Sequence, residues 1–205
     1  MPVVVVANPK GGVGKSTIAT NVAGYYASKG RSVMLGDADR QQSSRLWLGL
    51  RPPGARPIAS WDVDAGKVAK PPKGTTHVVL DTPAGLHGKA LRELLRTANK
   101  VIVPLAPSVF DIFATRTFLD ELAELRKASG LQVGIVGMRV DQRTLAADQF
   151  ETFAKSLGLP TLGELRPTQN YVYLAARGLT LFDVAPGRVE RDLEQWQGIC
   201  RWLDN

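Results

Sequence analysis

Lys10-Gly11-Gly12-Val13-Gly14-Lys15-Ser16-Thr17 follows an unbroken apolar run at residues 3 to 7 and opens a stretch, Ser16 to Ser28, that reads as a helix. Strand, glycine-rich loop and helix in that order predict a phosphate-binding loop. The glycines let the backbone curl until successive N–H groups converge on phosphate oxygens, and the helix N-terminus adds a favourable dipole. In such a loop Gly11, Gly12, Val13 and Gly14 form the cradle and Lys15 holds the β- and γ-phosphates. The Ser16 hydroxyl coordinates Mg2+, and Thr17 reaches the α-phosphate.

Outward from the loop, the strand theme recurs. Ser32 to Gly36, Thr76 to Leu80, Val101 to Leu105 and Gln132 to Met138 are short apolar strand candidates separated by helical segments. Strands that are apolar without alternation are buried on both faces, as in a parallel sheet. Right-handed crossovers then put helices on both sides. The expected fold is α/β, a doubly wound, mostly parallel sheet flanked by helices in a three-layer sandwich. Its ligand site is expected after Ala7, Gly36 and Leu80, at the carboxyl ends of the strands. Arg51 to Gly74 holds five prolines (52, 53, 57, 71 and 72) with Gly54, Gly66 and Gly74, and predicts an irregular insert in which Pro57 to Trp61 can form an edge strand. Val189, Leu193, Trp196, Cys200 and Leu203 fall on one helical face, which predicts a packed closing helix.

Two further segments end apolar strands in acid. His77-Val78-Val79-Leu80-Asp81-Thr82-Pro83-Ala84-Gly85 has the form of a Walker B strand, with Asp81 an outer-shell partner of Mg2+. Gly36-Asp37-Ala38-Asp39-Arg40-Gln41-Gln42-Ser43 closes the second strand. In the loop itself, Pro9 stands where a typical Walker A has its first glycine, and a second lysine, Lys10, follows. On these residues the chain resembles the ParA/MinD family of deviant Walker A ATPases, whose loop reads Lys-Gly-Gly-x-Gly-Lys-Ser/Thr. The resemblance implies that Lys10 is the signature lysine, reaching the nucleotide of the other subunit in an ATP-sandwich homodimer. A cation delivered by the partner stabilises a dimer only while ATP supplies the charge it neutralises.

By the same resemblance Asp37 binds Mg2+ through water and Asp39 orients the water that attacks the γ-phosphate, a positioning task suited to a carboxylate. Arg40 replaces the family's proline after Asp39. Pro104 to Ser108 with Asp111, Leu165 to Tyr171 and Gly178 to Asp183 also resemble family segments, so the likeness covers nearly the whole chain. Met138-Arg139-Val140-Asp141 departs from it, because many relatives place an Asn for the base there.

Composition bounds the setting. At 205 residues, 44% hydrophobic and 22% charged, the chain is expected to be one domain, residues 1–205. One cysteine, Cys200, excludes an intramolecular disulfide framework and is too few for the cluster ligands of a nitrogenase iron protein. The start carries no basic n-region and no apolar run spans a membrane, so a cytoplasmic protein is expected. The net charge of +7 is concentrated. Residues 40 to 100 hold eleven basic side chains (Arg40, Arg45, Arg51, Arg56, Lys67, Lys70, Lys73, Lys89, Arg92, Arg96 and Lys100) against four acidic ones (Asp62, Asp64, Asp81 and Glu93). That excess is either a solvated face or an electrostatic footprint for phosphate backbones.

Within the family, a MinD-like membrane helix is one reading of Val189 to Asn205. Its charge argues against this: four acidic residues against Arg191 and Arg201 leave a net −2, where anionic lipid favours a basic face. No membrane partner is expected. An ATP-dependent small-molecule enzyme is a second alternative. The expectation is a small ParA-like ATPase that begins directly at its first strand and binds DNA nonspecifically as an ATP dimer. It would associate with the nucleoid and position a cargo through a cargo-bound adaptor that stimulates hydrolysis. Arg139, Arg143, Lys155, Arg166, Arg177 and Arg188 are the DNA-binding candidates. The tail from Asp192 to Leu203 is similar to carboxysome-distribution ParA-like proteins, while plasmid or chromosome segments are the usual family cargo.

Overall fold

The structure is a computed structural model that describes residues 1–63 and 71–205, with the side chains at 109, 110, 112–114 and 128 not described. Asp64, Gly66, Lys67 and Lys70, which enter the charge and insert readings above, lie outside the described residues.

Among the described residues, seven strands form one sheet: β1 (Val3–Val6), β2 (Val33–Asp37), β3 (Ala59–Trp61), β4 (His77–Asp81), β5 (Lys100–Leu105), β6 (Gln132–Met138) and β7 (Thr161–Leu165). Their spatial order is β3-β2-β4-β1-β5-β6-β7, and every pairing is parallel. The four valines of β1 are buried, as the central strand of a sheet covered on both faces requires. Helices α1 (Lys15–Ser28), α2 (Ser43–Gly49), α3 (Gly88–Leu95), α4 (Val109–Ser129), α5 (Leu145–Ser156), α6 (Asn170–Ala175) and α7 (Glu190–Asp204) connect the strands and close the chain.

Alternate residues of the central strands β1, β2 and β4 feed two separate cores. One gathers Val4, Val6, Leu35 and Val79 with Ile18 and Val22 of α1 and with Trp196 and Ile199 of α7. The other gathers Val3, Val5, Val78 and Val101 with Leu91 and Leu94 of α3 and with Leu119 and Leu122 of α4. The predicted doubly wound sandwich is therefore present. The segments before and after the switch in strand order lie on opposite sides of β1, which brings the ends of β1, β2 and β4 together.

The strands predicted at 32–36 and 76–80 occur one residue later, and Pro57 to Trp61 narrows to the three-residue edge strand β3. Sequence periodicity missed β7. Of its residues, Leu162 and Leu165 are buried while Thr161 is exposed, so no continuous apolar run marks it. Two glycines let α7 press against β7: a Cβ at Gly163 would sit 2.6 Å from the Gln195 carbonyl, and one at Gly198 would collide with the Leu162 carbonyl. Of the face predicted for the closing helix, Trp196 and Leu203 are buried, as is Val189 just before α7; Leu193 and Cys200 are only partly buried, and Ile199 is buried in addition.

A cavity of about 590 Å³ lies at the opposite, amino-terminal end of the strands, bordered by Met1, Tyr26, His77, Lys100, Asp204 and Asn205.

Candidate nucleotide site

The loop between β1 and α1 is pinned at both sides. Asn8, fully buried, donates from Nδ2 to the Pro104 carbonyl at 2.8 Å, and its Oδ1 accepts from the Lys10 N–H at 2.8 Å. The Thr82 hydroxyl donates to the Val6 carbonyl at 2.9 Å, tying the end of β4 to β1. Gly12 and Gly14 take φ of +72° and +97°, a conformation that glycine adopts without strain. Space around Gly11 and Gly12 is open to at least 4 Å from an added Cβ. This is a cradle whose backbone another molecule can approach.

Lys15 is buried and donates to the Lys10 carbonyl at 2.8 Å. Burial lowers its pKa, and the carboxylates of Asp81 and Asp39 oppose the shift. Lys10 points the other way, pairing with Asp111 at the start of α4 at 3.0 Å. Its side chain is half-exposed, so it is anchored yet available at the surface.

The two strand-end carboxylates face each other in register, Asp37 of β2 beside Asp81 of β4. Asp37 accepts three backbone donors: Oδ2 accepts from Ser44 N–H at 2.8 Å and Arg45 N–H at 3.2 Å, and Oδ1 from Asp39 N–H at 3.0 Å. Asp39 is half-buried and accepts from Gln41 N–H at 3.0 Å. Asp81 is 1% exposed. Its Oδ2 accepts from the Ser44 hydroxyl at 2.7 Å, while its Oδ1 is buried without a hydrogen-bond partner. Burial pushes the Asp81 carboxyl up to about 6; the nearby hydroxyls of Ser16 and Ser44 and the ammonium of Lys15 oppose this, and the charge of Asp37 adds to it.

These residues fit ATP with Mg2+. The open glycine backbone and Lys15 suit phosphate oxygens, Ser16 offers a hydroxyl, and the unpartnered Oδ1 of Asp81 is an acceptor in want of a cation or a metal-bound water. Among the described residues no three His, Cys, Asp or Glu side chains converge as a metal cage. A Mg2+ ion held mainly by phosphates and water needs none.

At the end of β6, Arg139 has φ +56° and donates to the Gly12 carbonyl at 3.2 Å, while Met138 packs over Gly14. Arg139 thus sits at the rim of the phosphate loop. The other DNA candidates are dispersed. Arg143 forks onto Asp141, Lys155 pairs with Glu151 at 2.7 Å towards the far end of α5, and Arg166 pairs with the buried Asp192 at 2.8 Å. Arg177 stacks on Tyr173 at 3.6 Å, and Arg188 is exposed on a 3-10 turn, Pro186–Arg188. The basic 40 to 100 region is also divided. Arg51 is buried in a forked pair with Asp183, and Lys100 donates to the Trp202 and Leu203 carbonyls, so neither contributes to an outer face. Arg40, Arg56, Lys73, Lys89 and Arg96 are exposed.

Sequence reasoning missed Asn8 and Ser44. Both are small polar residues flanking motifs, and only their burial, with bonds to the loop and to the carboxylates, reveals them.

Residues 4–181 match the model of the CobQ/CobB/MinD/ParA nucleotide binding domain. The chain belongs to this family. Within it, the chain is 29% identical over 197 residues to the maintenance of carboxysome distribution protein A of Halothiobacillus neapolitanus, covering 91% of this chain and 90% of that protein. The protein of the same description from Gloeobacter kilaueensis is 30% identical over 189 residues, covering 87% and 83%. The ATP complex of McdA from Cyanothece superposes with a TM-score of 0.76 at 17% identity over 100% of this chain and 96% of that one, which shows the shared ParA/MinD fold.

Proposed function

We propose that this ParA/MinD-type chain is an ATP-hydrolysing dimerisation switch. Its ATP dimer binds DNA without sequence preference, on the nucleoid, and positions an intracellular cargo through an adaptor that stimulates hydrolysis. One observation carries the reading: Lys10 stands half-exposed beside a complete phosphate loop whose interior lysine and carboxylates are already placed. A nucleotide-binding enzyme needs Lys15, Ser16 and Asp81; a second lysine at the rim serves a partner subunit.

The residues divide the work. Lys15 and the N–H groups of Gly11 to Thr17 bind the phosphates, and Ser16, Asp37 and Asp81 hold the metal end. Bound Mg2+ would neutralise phosphate charge and fix its orientation. Asp39, half-buried at the mouth between β2 and α2, orients a water, and Lys10 exchanges Asp111 for the phosphates of the partner's nucleotide.

The similarity to two carboxysome-distribution proteins favours a protein assembly such as carboxysomes as cargo over a plasmid or chromosome region. A MinD-like membrane helix finds no support in α7. The apolar face that would enter lipid is buried against β7 and α1, and no helix among the described residues is long and apolar enough to cross a membrane.

Sedimentation with random-sequence DNA, with ATP, ADP or no nucleotide across a salt series, tests the proposal. Binding only with ATP, indifferent to sequence and lost at high salt, is the expected result. Absence of binding under every condition overturns it and returns the choice to the membrane-associated and small-molecule-enzyme alternatives.

A further inference from the structure

Ser44 bonds to both strand-end carboxylates at once. Its side chain is fully buried, its hydroxyl donates to Asp81 Oδ2 at 2.7 Å, and its own N–H donates to Asp37 Oδ2 at 2.8 Å. It is also the second residue of α2, so the first turn of that helix hangs on the two acids. The bond to Oδ2 restricts rotation of the Asp81 carboxylate and leaves Oδ1 as the unpartnered atom. The far end of α2 is tethered as firmly: Arg51, just past the helix, forks onto Asp183 and donates to the Gly178 carbonyl at 3.0 Å. Between the two anchors the helix presents Leu46, 69% exposed, and Leu50 follows at 56%.

We propose that Ser44 is the positioning residue that couples occupancy of the metal end of the site to helix α2, and through it to the exposed Leu46 and Leu50. The proposal rests on the nucleotide-site reading above. A cation or metal-bound water that engages Asp81 Oδ1 settles the carboxylate, the carboxylate holds the Ser44 hydroxyl, and the hydroxyl holds the helix. Coupling of this kind is reciprocal, so loosening α2 must weaken the metal's contribution to nucleotide affinity.

The test has two measurements. A fluorescent ATP analogue is titrated against wild type and Ser44→Ala, each with Mg2+ and with EDTA. The hydroxyl bonds a charged group, so the variant is expected to lose about tenfold of the affinity gained on adding Mg2+ and nothing in EDTA. An unchanged Mg2+ gain overturns the proposal, as does an equal loss in both media, which marks a merely structural residue. Amide exchange over residues 43–49 of the wild type, ATP present throughout, is expected to slow on adding Mg2+. No change there overturns the coupling whatever the variant does. A wild type that binds no nucleotide in either medium fails differently: it sinks the nucleotide-site reading itself and the coupling with it.

Discussion

The roles of three charged side chains at the loop are separable by substitution. Lys15 is the buried cation aimed into the cradle, so Lys15→Ala is expected to reduce ATP affinity by about a hundredfold, on the scale of charge-assisted bonds lost at a phosphate. Lys10→Ala removes only the rim lysine. It is expected to keep nucleotide binding to the monomer and to abolish the ATP-dependent dimer in sedimentation velocity, and a surviving dimer would refute the signature role. Asp39→Ala is expected to retain ATP binding and lose hydrolysis by phosphate release; loss of binding would reassign Asp39 to the metal end. That Lys15, Ser16 and Asp81 lie together was legible in the sequence, because motifs at the ends of neighbouring strands converge. The pairing of Lys10 with Asp111 was not, since a side chain's partner across 101 positions is decided by the packing of α4 and not by spacing.

At the scale of elements, α2 and the segment that follows α6 are joined by a buried ion pair. Arg51→Ala leaves Asp183 with its bonds from Thr180 but without its counter-charge, and is expected to cost ~3 kcal/mol in urea unfolding. His77, at the start of β4, packs its ring 4.3 Å from that of Tyr26. Burial, and next the charge of Arg31, lowers its pKa. A histidine whose folded pKa is depressed binds fewer protons folded than unfolded, so its contribution to stability is lost as pH falls through the ordinary value near 6.5. Melting temperatures from pH 8 to pH 5 should therefore fall more steeply for wild type than for His77→Gln. The apolar strands β1, β4, β5 and β6 declared themselves because both their faces are buried. By contrast β7 was hidden, since a sheet-edge strand closed over by a helix needs glycines at the contact and not an apolar run. Ser44 was hidden for another reason: its bonds to both acids form only once β2 and β4 lie side by side.

On the scale of the whole molecule, the count of 26 lysines and arginines overstates what a DNA backbone can meet. Arg51 and Lys100 are inside, Arg166 neutralises Asp192, and Arg143 and Lys155 each hold an acid, so charge counted along a chain is not charge presented on a face. The architecture was nevertheless predictable in outline, because successive strand and helix patterns leave few topologies when crossovers keep one hand.

Every strand points the same way, so the sheet has a working end and a quiet end. Residues 1 and 205 border one cavity at the quiet end. A fluorescent label attached at either residue would stand a full strand length from the loop. Such labels would leave the phosphate-loop end of the sheet free, as imaging of this molecule in living cells requires.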